Sequence, residues 1–127
     1  MSEILVDSSV WISFLKGDEK VKKLDQLIQF NKICTNELIL AELIPSIQQK
    51  KEKHLIELFH QIKINPIRLE WNDIIEMQIK NLKNGINKIG IPDLIILQNA
   101  VQYETPLFTL DKHFLLMQSF HKIELYQ

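Results

Sequence analysis

Short apolar runs alternate along the chain with longer stretches in which apolar residues recur every three or four positions. The short runs are typical of buried strands, and the longer stretches are typical of amphipathic helices. The pattern predicts strands at residues 3–7, 32–35, 63–69, 106–110 and 122–126. It predicts helices at residues 8–17, 18–30, 37–49, 50–62, 70–85, 91–104 and 111–118. This alternation indicates an α/β protein with a central parallel sheet and helices on both faces.

Capping and breaking residues support these boundaries. Ser8 or Ser9 is suited to begin the first helix, and Gly17 to end it. Pro45 falls inside the 37–49 helix and should kink it or split it in two. Pro92, by contrast, suits the first turn of the 91–104 helix.

Composition narrows the class of protein. The 127 residues are 46% hydrophobic and 24% charged, which suits a single domain spanning residues 1–127. The apolar runs are far shorter than the ~20 residues that span a bilayer, and no leader pattern opens the chain. We therefore expect a cytoplasmic protein with no membrane contact.

The net charge of -1 neither indicates nor excludes RNA binding. The lone Cys34 is expected to be a buried strand thiol.

Four acidic residues occupy positions where a carboxylate is unusual. Asp7 and Asp111 directly follow predicted strands, where ligands bind in parallel sheets. Glu42 shares a helix face with apolar neighbours, and Asp93 opens an otherwise apolar helix. Simpler roles stay open: Asp7 and Asp111 could cap the helices that follow them, and Asp93 could serve the dipole of its helix.

If the four carboxylates lie together, a cation must neutralise their repulsion. A cluster of oxygen ligands without His or Cys favours Mg²⁺ or Mn²⁺, which are ions of phosphodiester chemistry. The four histidines show no ligand spacing. His54 and His60 fall on different faces of one helix, and His113 and His121 are expected to be structural or exposed.

The segments "ILVDSSVWISFL", "TNELILAEL", "GIPDLIILQNA" and "LFTLDKHF" resemble, in order and spacing, the four acidic motifs of the PIN domain. The nearest resemblance is to the toxin nuclease of VapBC toxin–antitoxin pairs, and it covers essentially the whole chain. It implies a PIN-like α/β/α sandwich with a central parallel sheet. It also implies that Asp7, Glu42, Asp93 and Asp111 are catalytic and metal-binding, with Ser9 and Thr109 as supporting hydroxyls.

The activity implied by this resemblance is that of an Mg²⁺- or Mn²⁺-dependent endoribonuclease that cuts structured RNA such as tRNA or rRNA. Attack by metal-activated water would leave a 5′-phosphate and a 3′-hydroxyl. Members are commonly homodimers restrained by a small antitoxin. We expect the C-terminal segment of the antitoxin to contact Phe14 and Leu15, and also Trp11 unless Trp11 lies in the core. The same segment should extend an Arg or Lys toward Asp7, Glu42 and Asp93.

Three other interpretations fit parts of the sequence. A receiver-type signalling domain would carry adjacent acids after its first strand, whereas Ser8 and Ser9 follow Asp7 here. A PIN-like module that binds partners without catalysis is disfavoured by the four intact acids. A stand-alone RNA-processing nuclease with no antitoxin would share the chemistry, and the sequence does not distinguish it from a toxin.

Overall fold

The strands form one parallel sheet in a computed structural model that describes residues 3–127. The sheet has the order β3–β2–β1–β4, with β1 at Ile4–Val6, β2 at Ile33–Thr35, β3 at Lys63–Ile64 and β4 at Leu107–Phe108. Leu5 of β1 is paired with Cys34 on one side and with Leu107 on the other. The carboxyl ends of β1 and β4 therefore lie side by side.

Helices fill the connections between the strands. They are α1 (Ser8–Leu15), α2 (Lys23–Gln29), α3 (Glu37–Gln49), α4 (Lys53–Gln61), α5 (Trp71–Lys83), α6 (Ile91–Gln102) and α7 (Lys112–Met117). Helix α3 packs on α1 and α4, while α6 packs on α5 and α7. A four-stranded parallel sheet flanked by helices confirms the predicted α/β/α architecture. No helix within residues 3–127 is both long enough and apolar enough to cross a membrane.

Two predicted helices differ in detail from the structure. The 18–30 segment begins with a 3-10 turn at Glu19–Val21, and α2 follows it. The Asp18 side chain accepts a hydrogen bond of 3.0 Å from the Lys20 N–H and so caps this turn. Helix α3 continues through Pro45 from Glu37 to Gln49, so the predicted split does not occur.

The predicted third and fifth strands are much shorter than expected. Strand β3 ends at Ile64, because Asn65 turns its side chain inward and Pro66 has no N–H to extend the ladder. Residues 122–126 contribute a single parallel bridge between Leu107 and Leu125. The Leu107 N–H donates to the Glu124 carbonyl at 2.8 Å, and the Tyr126 N–H donates to the Leu107 carbonyl at 2.8 Å. These bonds flank the bridge, so residues 122–126 still cover the outer edge of β4.

The core lies between the sheet and its helices. Trp11 is 1% exposed and meets Phe59 edge-on, with ring centroids 4.7 Å apart. Trp11 is therefore a core residue and not a partner contact. Cys34 is buried in β2, where burial first, and then the nearby charge of Glu3, raise the pKa of its thiol to about 12. The prediction of a buried strand thiol is confirmed.

The order of the strands locates a natural ligand site. Connections from β1 run outward in one direction to β2 and β3, and the chain then returns to place β4 on the other side of β1. The β1/β4 boundary is thus the topological switch point, where a crevice opens at the carboxyl ends of the strands. Asp7 directly follows β1, and Thr109 directly follows β4.

Candidate active site

Asp7 lies at this switch point, and only 5% of its surface is exposed. Its Oδ2 atom accepts hydrogen bonds of 2.8 Å from the Ser9 hydroxyl and of 2.8 Å from the Thr109 hydroxyl. Although Asp7 precedes α1, its side chain is directed to these two hydroxyls and does not cap the helix. A buried carboxylate needs such donors, and here they also fix its orientation.

The two hydroxyls connect the ends of β1 and β4. Thr109 Oγ1 accepts a hydrogen bond of 3.0 Å from the Asp111 N–H, and Ser9 Oγ accepts one of 3.1 Å from the Leu110 N–H. Ser9 and Thr109 therefore hold the loop that carries Asp111 against Asp7, although about one hundred residues of sequence separate the two strands.

Asp111, Asp93 and His113 form a compact group beside Asp7. Asp111 Oδ1 accepts the His113 N–H at 2.9 Å, so Asp111 does cap α7, as the simpler interpretation allowed. The imidazole then extends between two acids: Nδ1 lies 3.1 Å from Asp93 Oδ2 and 3.5 Å from Asp111 Oδ1. One potential ligand atom from each of the three residues lies within 4.8 Å of the other two.

His113 is the site residue that the sequence reasoning excluded. It is partly exposed, as expected, but it also contacts two of the four predicted acids. The available signal was its position two residues after Asp111, since an aspartate cap brings the following turn back onto the carboxylate. His121, in contrast, bonds to Asn81 at 2.7 Å, which is a structural role.

Glu42 is placed differently from the prediction. The residue is exposed on α3, so the expected apolar surroundings are wrong. Partial burial of its carboxylate and the negative charge of Asp7 nevertheless raise its pKa, with a smaller contribution from Asp93, while the Ser8 hydroxyl opposes the rise. Glu42 therefore lies close enough to Asp7 and Asp93 for their negative charges to act on its carboxylate.

The pKa of Asp93 is raised for the same reasons as that of Glu42. Burial raises the pKa of its carboxyl group, and Asp111 and Asp7 raise it further by repulsion, whereas the His113 imidazole lowers it. Within residues 3–127, the close group of potential ligands comprises Asp93, Asp111 and His113, and Asp7 and Glu42 lie outside it. The excess negative charge and the carboxylate oxygens fit a divalent cation, and the His113 imidazole lies beside them as a further potential ligand.

A groove with a mixed lining lies between α1, α3 and α4. It has a volume of about 650 Å³, and apolar side chains such as Ile12, Phe14 and Leu15 line it together with the charged Lys16 and Lys50. Helix α3 contributes Leu43 to this groove, and Glu42 precedes Leu43 on the same helix.

Comparison with known proteins gives a consistent picture. The family model described as PIN domain matches residues 4–118. The search of curated proteins found no match. Among solved structures, the fold is similar to FitAcB from Neisseria gonorrhoeae, with a TM-score of 0.72, 20% sequence identity, and coverage of 98% of this chain and 96% of that chain.

Two further solved structures share the fold over nearly their whole length. VapBC2 from Rickettsia felis, bound to a DNA fragment from their promoter, has a TM-score of 0.73 and 17% identity, and the match covers 97% of this chain and 96% of that chain. DNA-bound VapBC from Salmonella typhimurium has a TM-score of 0.75 and 13% identity, with coverage of 99% and 98%.

Proposed function

The chain belongs to the PIN domain family, and we propose that it is a metal-dependent endoribonuclease that serves as the toxin of a toxin–antitoxin pair. The observation that carries this proposal is the acidic crevice at the β1/β4 switch point. Ser9 and Thr109 orient Asp7 there, and Asp93 and Asp111 lie beside it with Glu42 facing them. The VapBC structures that share the fold support the assignment to a toxin.

In this proposal Asp7, Glu42, Asp93 and Asp111 hold an Mg²⁺ or Mn²⁺ ion. A bound ion would supply a Lewis acid that lowers the pKa of a water molecule and neutralises the charge of a phosphodiester. The protein contributes orientation: the Ser9 and Thr109 hydroxyls fix Asp7, and the cap of α7 fixes Asp111. The substrate proposed from the family is structured RNA, such as tRNA or rRNA.

A small antitoxin is the second part of the proposal. Its apolar side chains would contact the apolar part of the groove between α1, α3 and α4, and an Arg or Lys would extend from there toward Asp7, Glu42 and Asp93. Charge-assisted hydrogen bonds from that cation would satisfy the carboxylates and exclude the metal. Leu15, which is 37% exposed in the groove, is suited to such a contact. Trp11 is excluded from it by its burial.

A homodimer is the third part. Helix α5 carries large apolar side chains that are more than half exposed, with Trp71 at 55%, Ile75 at 55% and Leu82 at 60%. Their spacing of four and seven places them along one side of the helix, and a stripe of this kind marks an interaction surface. Sedimentation of Ile75→Lys beside the wild type tests this part: a dimer through α5 would become a monomer.

The activity is tested by incubating the purified chain with tRNA and rRNA in Mg²⁺ and mapping the ends of any products. We expect discrete cuts that leave 5′-phosphates, and their loss in Asp93→Asn. The matched control is Glu37→Gln, because Glu37 accepts a 2.9 Å bond from the Ile67 N–H outside the crevice and an amide oxygen can replace it. Equal loss of cleavage in both variants would contradict the assignment of the site.

The toxin assignment has a separate test in cells. Expression of the chain should arrest growth, and co-expression of a small protein encoded beside its gene should restore growth. Leu15→Glu should abolish the rescue without abolishing the arrest. Cleavage in vitro without growth arrest would instead favour a stand-alone RNA-processing nuclease.

A further inference from the structure

His113 is the feature of the crevice that the acidic motifs do not account for. A site made only of carboxylates needs no imidazole, yet this one lies between two acids at 3.1 and 3.5 Å. Its backbone is held in place from both sides, since Asp111 accepts its N–H and the next residue, Phe114, is completely buried. The imidazole is therefore directed into the crevice by the fold.

The spacing of the three donor atoms matches the edge of a coordination shell. Adjacent ligands of an octahedral ion at about 2.1 Å are separated by about 3.0 Å, and opposite ligands by about 4.2 Å. The separations from Nδ1 are 3.1 and 3.5 Å, and one atom from each of the three residues lies within 4.8 Å of the others. The two separations from Nδ1 are close to those of adjacent ligands, so after a small adjustment of the side chains the imidazole and one oxygen from each aspartate could contact one ion.

We propose that His113 is a ligand of the divalent cation, together with Asp93 and Asp111, and that its nitrogen makes the site prefer Mn²⁺ to Mg²⁺. The inference rests on the proposed function, because it concerns the ion of that same site. Mg²⁺ takes oxygen ligands almost exclusively, whereas imidazole suits transition metals. The sequence-based expectation of an all-oxygen site is thereby revised.

The alternative role for His113 is that of a hydrogen-bond donor that only orients Asp93. The substitution His113→Asn separates the two roles. An asparagine amide places its –NH₂ near the position of Nδ1 and can still donate to Asp93, but it offers no nitrogen lone pair to a metal. His60→Gln is the matched control, because His60 is an exposed histidine on α4.

The experiment is an Mn²⁺ titration followed by electron paramagnetic resonance, with Mg²⁺ affinity measured by competition. Loss of an outer-shell partner already lowers metal affinity by roughly 10–100-fold. We therefore expect His113→Asn to weaken Mn²⁺ binding at least about tenfold and to change Mg²⁺ binding much less. In the wild type and in His60→Gln, spin-echo modulation of bound Mn²⁺ should show a coordinated ¹⁴N nucleus, and His113→Asn should lose it.

The outcomes distinguish this inference from the function on which it rests. The role of His113 would be overturned, and the nuclease left intact, by the following set of results. Asp93→Asn abolishes Mn²⁺ binding, the wild type shows no ¹⁴N modulation, and His113→Asn binds Mn²⁺ with unchanged affinity. Absence of Mn²⁺ and Mg²⁺ binding to the wild type would overturn both. Far-ultraviolet circular dichroism of each variant checks that the fold is retained.

Discussion

The substitution Thr109→Val tests whether the hydroxyl that joins β1 and β4 holds the crevice together. Valine has nearly the same shape as threonine, so packing is preserved and the hydrogen bonds are removed. Thr109 donates to the Asp7 carboxylate at 2.8 Å and accepts from the Asp111 N–H at 3.0 Å. We expect lower stability and slower cleavage.

The magnitude follows from these two bonds. A hydrogen bond to a charged group contributes about 1.5–3 kcal/mol, and a neutral one contributes about 1 kcal/mol. Thr109 is half-buried, so water can replace part of each bond. A loss of about 2 kcal/mol is therefore expected, equivalent to a Tm lower by about 8 °C in a domain of this size. Cleavage should fall by roughly 10–100-fold, as for other residues that orient metal ligands.

Thr35→Val is the matched control. The Thr35 side chain is also buried at the end of a strand, but its hydroxyl has no hydrogen-bond partner among the described residues. Replacing it should leave the Tm unchanged or raise it, because an unpaired buried hydroxyl is removed. Thermal unfolding in EDTA, followed by circular dichroism, compares the two variants, and Thr109→Ser should restore most of the loss. Equal Tm values for Thr109→Val and Thr35→Val would refute the reasoning.

Three further predictions follow from the charge of the crevice. Asp7→Asn and Asp93→Asn should each abolish cleavage while the protein stays folded, because each substitution removes one of the mutually repelling charges. Circular dichroism that shows an unfolded Asp93→Asn variant would contradict this prediction. Cleavage should require Mg²⁺ or Mn²⁺, and full activity in EDTA would exclude the mechanism. Ca²⁺ should inhibit cleavage, because its looser coordination misplaces the attacking water. Burial raises the pKa of Glu42 and of Asp93 above the usual 4.5 and 3.8, so the metal-free folded chain binds these protons more tightly than the unfolded chain does. Its free energy of unfolding should therefore fall as pH rises through those raised pKa values, and urea titrations in EDTA should show a shallower fall for Asp93→Asn.

Local sequence was sufficient to predict most of the elements, although not the lengths of the third and fifth strands, and to identify the candidate acids. Hydrophobic periodicity reports which face of an element is buried, and Gly17 and Gly85 adopt positive φ angles of 79° and 75° just beyond the ends of α1 and α5. Asp7 and Asp111 follow strands, and parallel strands bring their carboxyl ends to one edge of a sheet. The predicted α/β/α sandwich depended on nothing more distant than these patterns.

Tertiary structure alone decided which side chains meet within the crevice. Nothing local places the His113 imidazole against Asp93, twenty residues earlier, because that contact depends on how α7 packs beside α6. The exposure of Glu42 and the burial of Trp11 likewise depend on where α3 and α1 meet, which residue spacing within one helix does not define. Periodicity describes a helix relative to its own axis, whereas a metal site depends on distances between elements, and only the packed fold sets those distances.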